Sequence, residues 1–141
     1  MSSLHLEYDV VGNNFATAGS ASNEVKSILK KLGIDSQSIR KVAIAMYEGE
    51  INMVIHAGGG KAIIEIFEDR IEIVLEDSGG GIPDVELAMQ AGYTTASETI
   101  RNLGFGAGMG LPNMKRFADK FDIESVVGEG TTIKMTVNFP E

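Results

Sequence analysis

The sequence predicts an α+β fold in which a layer of helices covers a mostly antiparallel sheet. The first observation is that apolar and polar residues alternate in two pairs of neighbouring segments, 61–69 with 70–78 and 121–127 with 131–139. Alternation with period two is typical of half-buried strands, and neighbouring strands joined by a short turn form hairpins. The second observation is that segments with helical spacing do not alternate one by one with strands, which disfavours a doubly wound parallel sheet.

The N-terminal region is predicted to contain one strand followed by a helix. Apolar and polar residues alternate from Leu4 to Val10, which indicates a strand. Apolar residues recur at helical spacing from Val25 to Leu32, and Gly33 follows as a C-terminal stop. The apolar face of this helix fits two interpretations: a face turned to the core, or a surface on which a homodimer forms.

A second helix is predicted from about Gln37 to Ala57. Asp35 or Ser36 would act as its N-cap, and the glycines 58–60 would end it. Its core face is expected to carry four apolar residues: Ile39, Val42, Met46 and Met53.

The C-terminal half adds the two hairpins and two further helices. The first hairpin is expected to turn at Asp69 and Arg70, and a short helix is expected over 85–92. Residues Asn113 to Phe121 are predicted to form the last helix, with Pro112 in its first turn, where a missing amide hydrogen costs nothing. The apolar side of that helix would carry Met114, Phe117, Ala118 and Phe121.

Composition limits the classes of function. The 141 residues suit one domain with its own core, and the lack of cysteine suits a reducing cytoplasm. The N-terminus has no basic segment followed by an apolar run, and no stretch approaches the ~20 apolar residues of a membrane span. We therefore expect a single cytoplasmic domain, residues 1–141, with no membrane partner.

The net charge of −8 argues against a nucleic-acid partner. Proteins that grip a nucleic-acid backbone usually carry a basic stripe, whereas the densest basic clusters here are only Lys30-Lys31 and Arg40-Lys41. If the protein binds a phosphate ligand, backbone amides and a divalent cation have to supply much of the positive charge.

Glu48, Asn52 and His56 are spaced four residues apart on the second helix and therefore share one stripe. Such a stripe is often a solvated polar face, but the apolar residues around it indicate a helix near the middle of the fold. An amide oxygen is a suitable Mg²⁺ ligand, and a carboxylate can accept a proton from an attacking hydroxyl. His56 lies near the helix end, where a cap or a core imidazole is the simpler interpretation.

Three glycine-containing segments follow. Asp77 with Gly79 and Gly81 suits either a turn or a carboxylate that accepts a hydrogen bond from an amino group such as that of adenine. The segment NLGFGAGMGLP, residues 102–112, is either a hinge or a phosphate cradle of backbone amides, and it matches neither the P-loop nor the dinucleotide-binding fingerprint. The hairpin turn over 128–130 is on its own an ordinary structural feature.

Taken in order, these segments resemble the four motifs of the GHKL superfamily, which includes gyrase, Hsp90, histidine kinases and MutL and has the Bergerat fold. Glu48 and Asn52 match the N box, Asp77 to Gly81 the G1 box, Gly106 to Gly110 the G2 box and Gly128 to Thr132 the G3 box. The resemblance implies a two-layer α/β sandwich, with helices over a mixed, mostly antiparallel sheet and ATP bound between the helices beneath a lid.

Within that superfamily, the chain is most similar to the small bacterial serine kinases of the anti-sigma and stress-switch type. Tyr93, Thr94 and Thr95 resemble the start of their lid, and Gly106 to Pro112 resembles their G-x-G-M-G-L-P element. The helix that follows, with the sequence NMKRFAD, also resembles the stress-switch kinases.

The roles of the site residues follow from this resemblance. It implies that Glu48 is the general base, that Asn52 binds Mg²⁺ and that Asp77 recognises adenine. Thr131 would help to hold a water or the ring near Asp77. The other nucleotide-binding residues, including the glycines that would hold phosphate, are expected to be Gly79, Gly81, Thr94, Thr95, Gly106, Gly108, Met109, Gly110 and Leu111.

The sequence departs from the family pattern at two places. Many relatives carry Lys after the Thr-Thr pair, where this chain has Ala96, which leaves Arg101 and Lys115 as the nearby cations and Arg101 as a weak candidate for phosphate contact. Gly49 is unusual inside a helix, where it costs about 1 kcal/mol relative to Ala. It permits either close packing or close approach of a ligand.

The resemblance implies transfer of the γ-phosphoryl group of Mg·ATP to a serine or threonine of a partner protein. The partner is expected to be a STAS-domain anti-sigma antagonist or scaffold, with a sigma factor as a further partner. Three alternatives stay open: a non-catalytic, nucleotide-dependent anti-sigma binding protein; the ATP-binding module of a histidine kinase; and a gyrase- or MutL-like ATPase. The last is expected least, because such ATPases normally come attached to a transducer domain and none is recognised in this sequence.

Overall fold

The computed structural model describes residues 3–12, 18–54, 58–77, 79 and 110–140. Its helices are α1 (Ser20–Lys31), α2 (Ser36–Asn52) and α3 (Gly110–Phe117). Its strands are β1 (Leu4–Val11), β2 (Gly59–Ile66), β3 (Arg70–Asp77), β4 (Lys120–Val126) and β5 (Gly130–Asn138). The short helix expected over 85–92 lies outside the described residues.

The strands form one sheet in the order β1-β2-β3-β5-β4, and every pairing between these described strands is antiparallel. Alternate residues of each central strand are buried, as Ile71, Ile73 and Leu75 of β3 illustrate. These side chains join buried residues of all three helices in one hydrophobic core. The α+β prediction, with helices covering a mostly antiparallel sheet, is therefore confirmed.

The N-terminus and the core face of α2 agree with the sequence prediction. Asp35 is the N-cap, since its Oδ2 accepts a hydrogen bond from the backbone N–H of Ser38 at 3.0 Å. The α-helical geometry ends at Asn52 and passes into a wider π-helical turn at Met53 and Val54, and the rest of the predicted helix, 55–57, lies outside the described residues. The four apolar residues expected to face the core are all buried: Ile39, Val42, Met46 and Met53.

Helix α1 is fixed to α2 by a buried carboxylate. Its first residues have no side-chain cap of their own, because Gly19 occupies the N-cap position. Glu50 of α2, which is remote in sequence, caps α1 instead. Its side chain accepts hydrogen bonds from the backbone N–H groups of Gly19, Ala21 and Ser22 at 3.0–3.2 Å. The residue is only 2% exposed. A negative charge at a helix N-terminus also interacts favourably with the helix dipole.

The middle of the apolar face of α1 belongs to the core, whereas Leu32 at its end is 53% exposed. Val25 and Leu29 are fully buried and pack in the same cluster as the helix-facing strand residues. The core interpretation therefore holds for Val25 and Leu29, and the homodimer stays a prediction.

The bounds predicted for the last helix were wrong at both ends. Helix α3 begins at Gly110 and ends at Phe117, and Phe121 lies in β4. The helix ends before Phe121 because the following residues pair with β5. The backbone N–H of Asp119 bonds to the carbonyl of Thr136 at 2.8 Å, and β4 pairs with β5 from Lys120 onward. Residues 114, 117, 118 and 121 fit helical spacing, but the alternation from 121 onward fits a strand equally well.

Both predicted hairpins are present, with small shifts. In the first, Ile66 pairs with Ile71 and the backbone N–H of Phe67 bonds to the carbonyl of Arg70, so the turn lies at 68–69. In the second, β4 and β5 pair across 127–129. Gly59 and Gly60 do not end a helix but open β2, opposite Val11 and Val10 of β1.

Among the helices that the structure describes, none has the length and apolar character needed to cross a membrane.

Candidate functional site

The end of β3 brings together the predicted G1 and G3 residues. Asp77 is the last residue of β3, is half-buried, and pairs in register with Thr131 of β5. Its Oδ1 accepts hydrogen bonds from the backbone N–H groups of Gly79 at 3.0 Å and Thr131 at 3.2 Å. Both bonds use the same oxygen, and Oδ2 has no hydrogen-bond donor within the described part of the chain. The carboxylate is thus held in a fixed orientation with one oxygen available.

Thr131 is buried, and its side chain belongs to a second polar contact at this corner. Its hydroxyl lies 2.8 Å from the hydroxyl of Ser125 on β4, which in turn lies 3.4 Å from the carbonyl oxygen of Gly130. Because the side chains of Asp77 and Thr131 follow the alternation of the buried residues in their strands, both lie on the face of the sheet that the helices cover.

The predicted N-box residues lie near the C-terminal end of α2. Glu48 is half-buried, and its one hydrogen bond in the described chain is a long one, from the side-chain amide of Asn113 to Oε1 at 3.5 Å. Asn52, one turn further on, is also half-buried, and no described residue hydrogen-bonds to its side chain. Polar side chains at this depth without firm partners are available to a ligand.

Gly49 explains how α2 approaches the sheet at this point. A Cβ atom at position 49 would lie 2.1 Å from Cδ1 of Leu75 and 3.2 Å from Sδ of Met114. The bare backbone therefore allows α2 to pack directly against β3 and α3. Of the two roles that the sequence left open for Gly49, close packing is the one that this contact supports. Leu75 precedes Asp77 by two residues on the same face of β3, so this contact brings the N-box helix close to the G1 aspartate.

Helix α3 begins at Gly110, the last glycine of the glycine-rich segment. No acidic residue lies in its first turn, so no Asp or Glu of that turn competes with a ligand for the free N–H groups there. Leu111 is 6% exposed and belongs to the hydrophobic core. Its side chain therefore anchors the start of α3, and only its backbone would be open to a nucleotide.

Several predicted site residues lie outside the described residues, and their roles stay predictions. They are His56, Gly81, Thr94, Thr95, Arg101, Gly106, Gly108 and Met109.

Three residues of this region were not identified from the sequence. Asn113 contacts Glu48, Ser125 contacts Thr131, and Glu50 caps α1. The Ser125 contact was open to prediction, because Ser125 and Thr131 lie symmetrically about the expected turn at 128. The other two join residues far apart in sequence, and no local pattern indicates them.

The described residues contain no group of three or more His, Asp or Glu side chains that would form a protein-only metal site. Mg²⁺ is commonly held by one or two protein oxygens together with substrate phosphates and water. The amide oxygen of Asn52, half-buried and without a partner among the described residues, fits the protein share of such a site.

Comparisons with known proteins agree with this arrangement. The family model described as "Histidine kinase-like ATPase domain" matches residues 13–137. The serine/threonine-protein kinase RsbT of Bacillus subtilis is 35% identical over 113 residues, which cover 77% of this chain and 79% of that protein. An anti-sigma F factor of Caldanaerobacter subterraneus subsp. tengcongensis is 39% identical over 105 residues, covering 71% of this chain and 70% of the relative.

Solved structures with low sequence identity share the fold. The RsbU and RsbW domains of Rv1364c from Mycobacterium tuberculosis match with a TM-score of 0.63 at 16% identity, over 99% of this chain and 32% of that one. A mycobacterial sensor histidine kinase, MprB, matches with a TM-score of 0.55 at 16% identity, over 96% and 98% of the two chains.

Proposed function

Because this chain belongs to the histidine kinase-like ATPase domain family, we propose that it is an Mg·ATP-dependent protein serine/threonine kinase of the anti-sigma and stress-switch type. The similarity to RsbT over more than three quarters of both chains supports this class of activity. The observation that carries the proposal is the half-buried Glu48, which has a single long hydrogen bond and lies beside the Gly49 contact with β3.

Asp77 is the proposed reader of the adenine base. An exocyclic amino group is a hydrogen-bond donor, and the free Oδ2 of a carboxylate whose other oxygen is already held makes an oriented acceptor. Gly79 lies beside it with its N–H committed to Asp77, and its missing side chain leaves room for a flat ring. The Thr131 hydroxyl is proposed to help hold a bridging water, since Thr131 pairs in register with Asp77 on the adjacent strand.

Asn52 is the proposed protein ligand of Mg²⁺, together with the phosphates. When bound, the cation would neutralise phosphate charge, which an acidic protein with a net charge of −8 needs more than a basic one. The backbone N–H groups at the start of α3, with the glycines 106, 108 and 110, are proposed to hold the phosphate oxygens. Arg101 is also proposed to contact the phosphates.

Glu48 is the proposed general base. As the acceptor hydroxyl attacks the γ-phosphorus, its proton passes to the Glu48 carboxylate and ADP leaves. Phosphoryl transfer depends mainly on positioning and charge neutralisation. The 3.5 Å contact from Asn113 would orient the carboxylate without neutralising it.

We propose a STAS-domain anti-sigma antagonist or scaffold as the protein that is phosphorylated. The test incubates the full chain with γ-labelled Mg·ATP and a panel of purified STAS-domain proteins. Acid-stable label on a serine or threonine of one of them is the expected result, and acid-labile label on histidine would favour a histidine-kinase module instead. In parallel, Asp77→Asn should weaken nucleotide binding by about tenfold or more, because an amide presents a donor as well as an acceptor to the base.

A second candidate is a nucleotide-dependent binder of a sigma factor that acts without phosphoryl transfer. The 39% identity to an anti-sigma F factor supports this candidate. Glu48→Gln separates the two candidates: if sigma-factor or STAS-protein regulation persists at full strength in this variant, transfer is not the working activity.

A further inference from the structure

An open groove runs between α1 and α2 on the solvent side of the helix layer. It consists of two adjoining cavities of roughly 610 and 230 Å³. Both are lined by Lys26 of α1 and by Ala43 and Ile44 of α2, so they form one continuous depression. The groove has an apolar floor, to which Ile34 and Ile39 also contribute.

The rim of the larger cavity is basic, although the whole chain is acidic. Lys26, Lys30 and Arg40 line it, and no Asp or Glu does. None of these three cations forms an ion pair or a hydrogen bond within the described part of the chain. Lys30 has a local explanation, since it lies in the last turn of α1, where a cation interacts favourably with the helix dipole. Lys26 in mid-helix and Arg40 on α2 have no such explanation.

The smaller cavity connects this basic surface to the proposed active site. Glu48 and Tyr47 line it together with Ser22 and Asn23 at the start of α1. The groove therefore leads from the far end of the α1–α2 pair to the carboxylate proposed to accept the hydroxyl proton.

We propose that this groove docks the protein substrate through an amphipathic helix whose apolar stripe is flanked by acidic side chains. The apolar stripe would lie on Ala43, Ile44 and Ile39, and the acidic flanks would face Lys26, Lys30 and Arg40. Charge complementarity argues for this occupant, and helix-in-groove binding needs an apolar floor of this kind. The direction of the groove presents the acceptor hydroxyl at its Glu48 end. That the helix belongs to the phosphorylated protein rests on the kinase function proposed above.

The first test needs no identified partner. An 18-residue peptide with leucine at helical spacing and glutamate on both flanks is titrated into the full chain, and amide NMR shifts and affinity are recorded. The matched peptide has lysine in place of every glutamate. We expect saturable shifts at Ala43 and Ile44 with the acidic peptide alone, and weaker binding at higher salt.

The matched protein variants are Lys30→Glu/Arg40→Glu and the control Lys31→Glu/Lys120→Glu, which changes the net charge equally at exposed cations outside the groove. Reversing two rim charges is expected to weaken the acidic peptide about tenfold, and the control is expected to change affinity by less than about twofold. Equal binding of both peptides, or equal effects of both variants, would overturn the proposal.

The second test uses the STAS-domain protein that accepts label. Lys30→Glu/Arg40→Glu should raise its KM about tenfold and leave kcat and nucleotide affinity unchanged, because docking is remote from the reacting atoms. An unchanged KM would refute substrate docking in the groove. If no protein accepts label, the kinase proposal fails, whereas the peptide titration still decides the chemistry of the groove. A dimer of the wild-type chain that Ala43→Arg dissociates would identify the groove as a self-interface and refute the proposal.

Discussion

Glu48 and Glu50 lie two residues apart on α2, yet their surroundings are opposite. Two residues along an α-helix correspond to a rotation of about 200°, so the two side chains leave the helix on different faces. Glu50 is 2% exposed and accepts three backbone hydrogen bonds from the start of α1. Glu48 is half-buried and has one long contact with Asn113.

The difference separates a structural carboxylate from one that is free to react. A buried carboxylate that accepts three backbone hydrogen bonds stabilises the fold and has most of its acceptor capacity occupied. A partly buried carboxylate with few hydrogen bonds lowers the stability of the fold. Such a group is typical of a site where a ligand or a transferred proton supplies the missing interaction. Substitutions on this one helix should therefore divide into those that affect activity and those that affect stability.

The largest expected effect is on activity. Glu48→Gln should lower the rate of phosphoryl transfer by about 10²–10⁴-fold, since it removes the proton acceptor. The free energy of unfolding should change by less than about 0.5 kcal/mol, because Glu48 makes no strong contact in the described chain. Label transfer and urea unfolding measure the two quantities. A transfer rate within tenfold of the wild type would remove Glu48 from the role of general base.

Glu50→Gln should show the reverse. The amide NH₂ would face at least one of the three backbone N–H groups, and the negative charge at the N-terminus of α1 would be lost. We expect a loss of about 3 kcal/mol in the free energy of unfolding. For a chain of this size that corresponds to a decrease in Tm of roughly 10 °C.

Nucleotide affinity of the folded Glu50→Gln protein, measured well below its Tm, should stay within about threefold of the wild type if the two faces of α2 are independent. A stable Glu50→Gln protein that does not bind nucleotide would contradict the division between the two carboxylates.

The sequence predicted the elements of the fold better than their ends. Hydrophobic periodicity is a local property, and it located both hairpins, the core face of α2 and the Asp35 cap. It placed Phe121 in a helix because residues 114 to 121 satisfy helical spacing, whereas pairing of β4 with β5 from Lys120 decided the outcome. That pairing partner lies 16 residues further along the chain, at Thr136.

The polar residues, too, were predicted where a local motif identifies them and missed where their role depends on residues remote in sequence. Asp77 and Thr131 were identified through motifs, and their register in adjacent strands brings them together. The capping role of Glu50 depends on N–H groups 28 to 31 residues away in sequence, so a pattern along α2 cannot distinguish it from Glu48. The packing role of Gly49 depends on Leu75 and Met114, which belong to two other elements.

A smaller effect is expected at Gly49, between the two carboxylates. Ala in place of Gly in a helix gains about 1 kcal/mol in backbone propensity, whereas overpacking a core typically costs about 1–3 kcal/mol. A Cβ 2.1 Å from Leu75 Cδ1 requires a rearrangement, so Gly49→Ala should be destabilised by about 1 kcal/mol overall.

A double-mutant cycle tests the cause of that loss. In the Leu75→Ala background the clash with Cδ1 is removed and only the 3.2 Å approach to Met114 Sδ remains, so Gly49→Ala should be less destabilising there by about 1 kcal/mol. The same destabilisation in both backgrounds would mean that contact with Leu75 is not the reason for the glycine.

The smallest effect concerns the second capping carboxylate. Asp35 caps α2 locally, whereas Glu50 caps α1 across the helix pair, and Asp35→Ala should lower the Tm at neutral pH by less than Glu50→Gln does.

Hydrogen bonds from the Ser38 side chain and backbone lower the pKa of Asp35. A lowered pKa in the folded state means that this stabilisation is complete above the ordinary value of about 3.9 and is lost as the pH falls through the folded value. The Tm difference between wild type and Asp35→Ala should therefore be constant from about pH 7 to pH 5 and shrink below about pH 4. The Tm difference between Asp35→Asn and Asp35→Ala should not shrink in this range, because the Asn side chain is a cap that carries no charge at any pH. A Tm difference that stays the same down to about pH 2 would show that the charge of Asp35 contributes nothing to the cap.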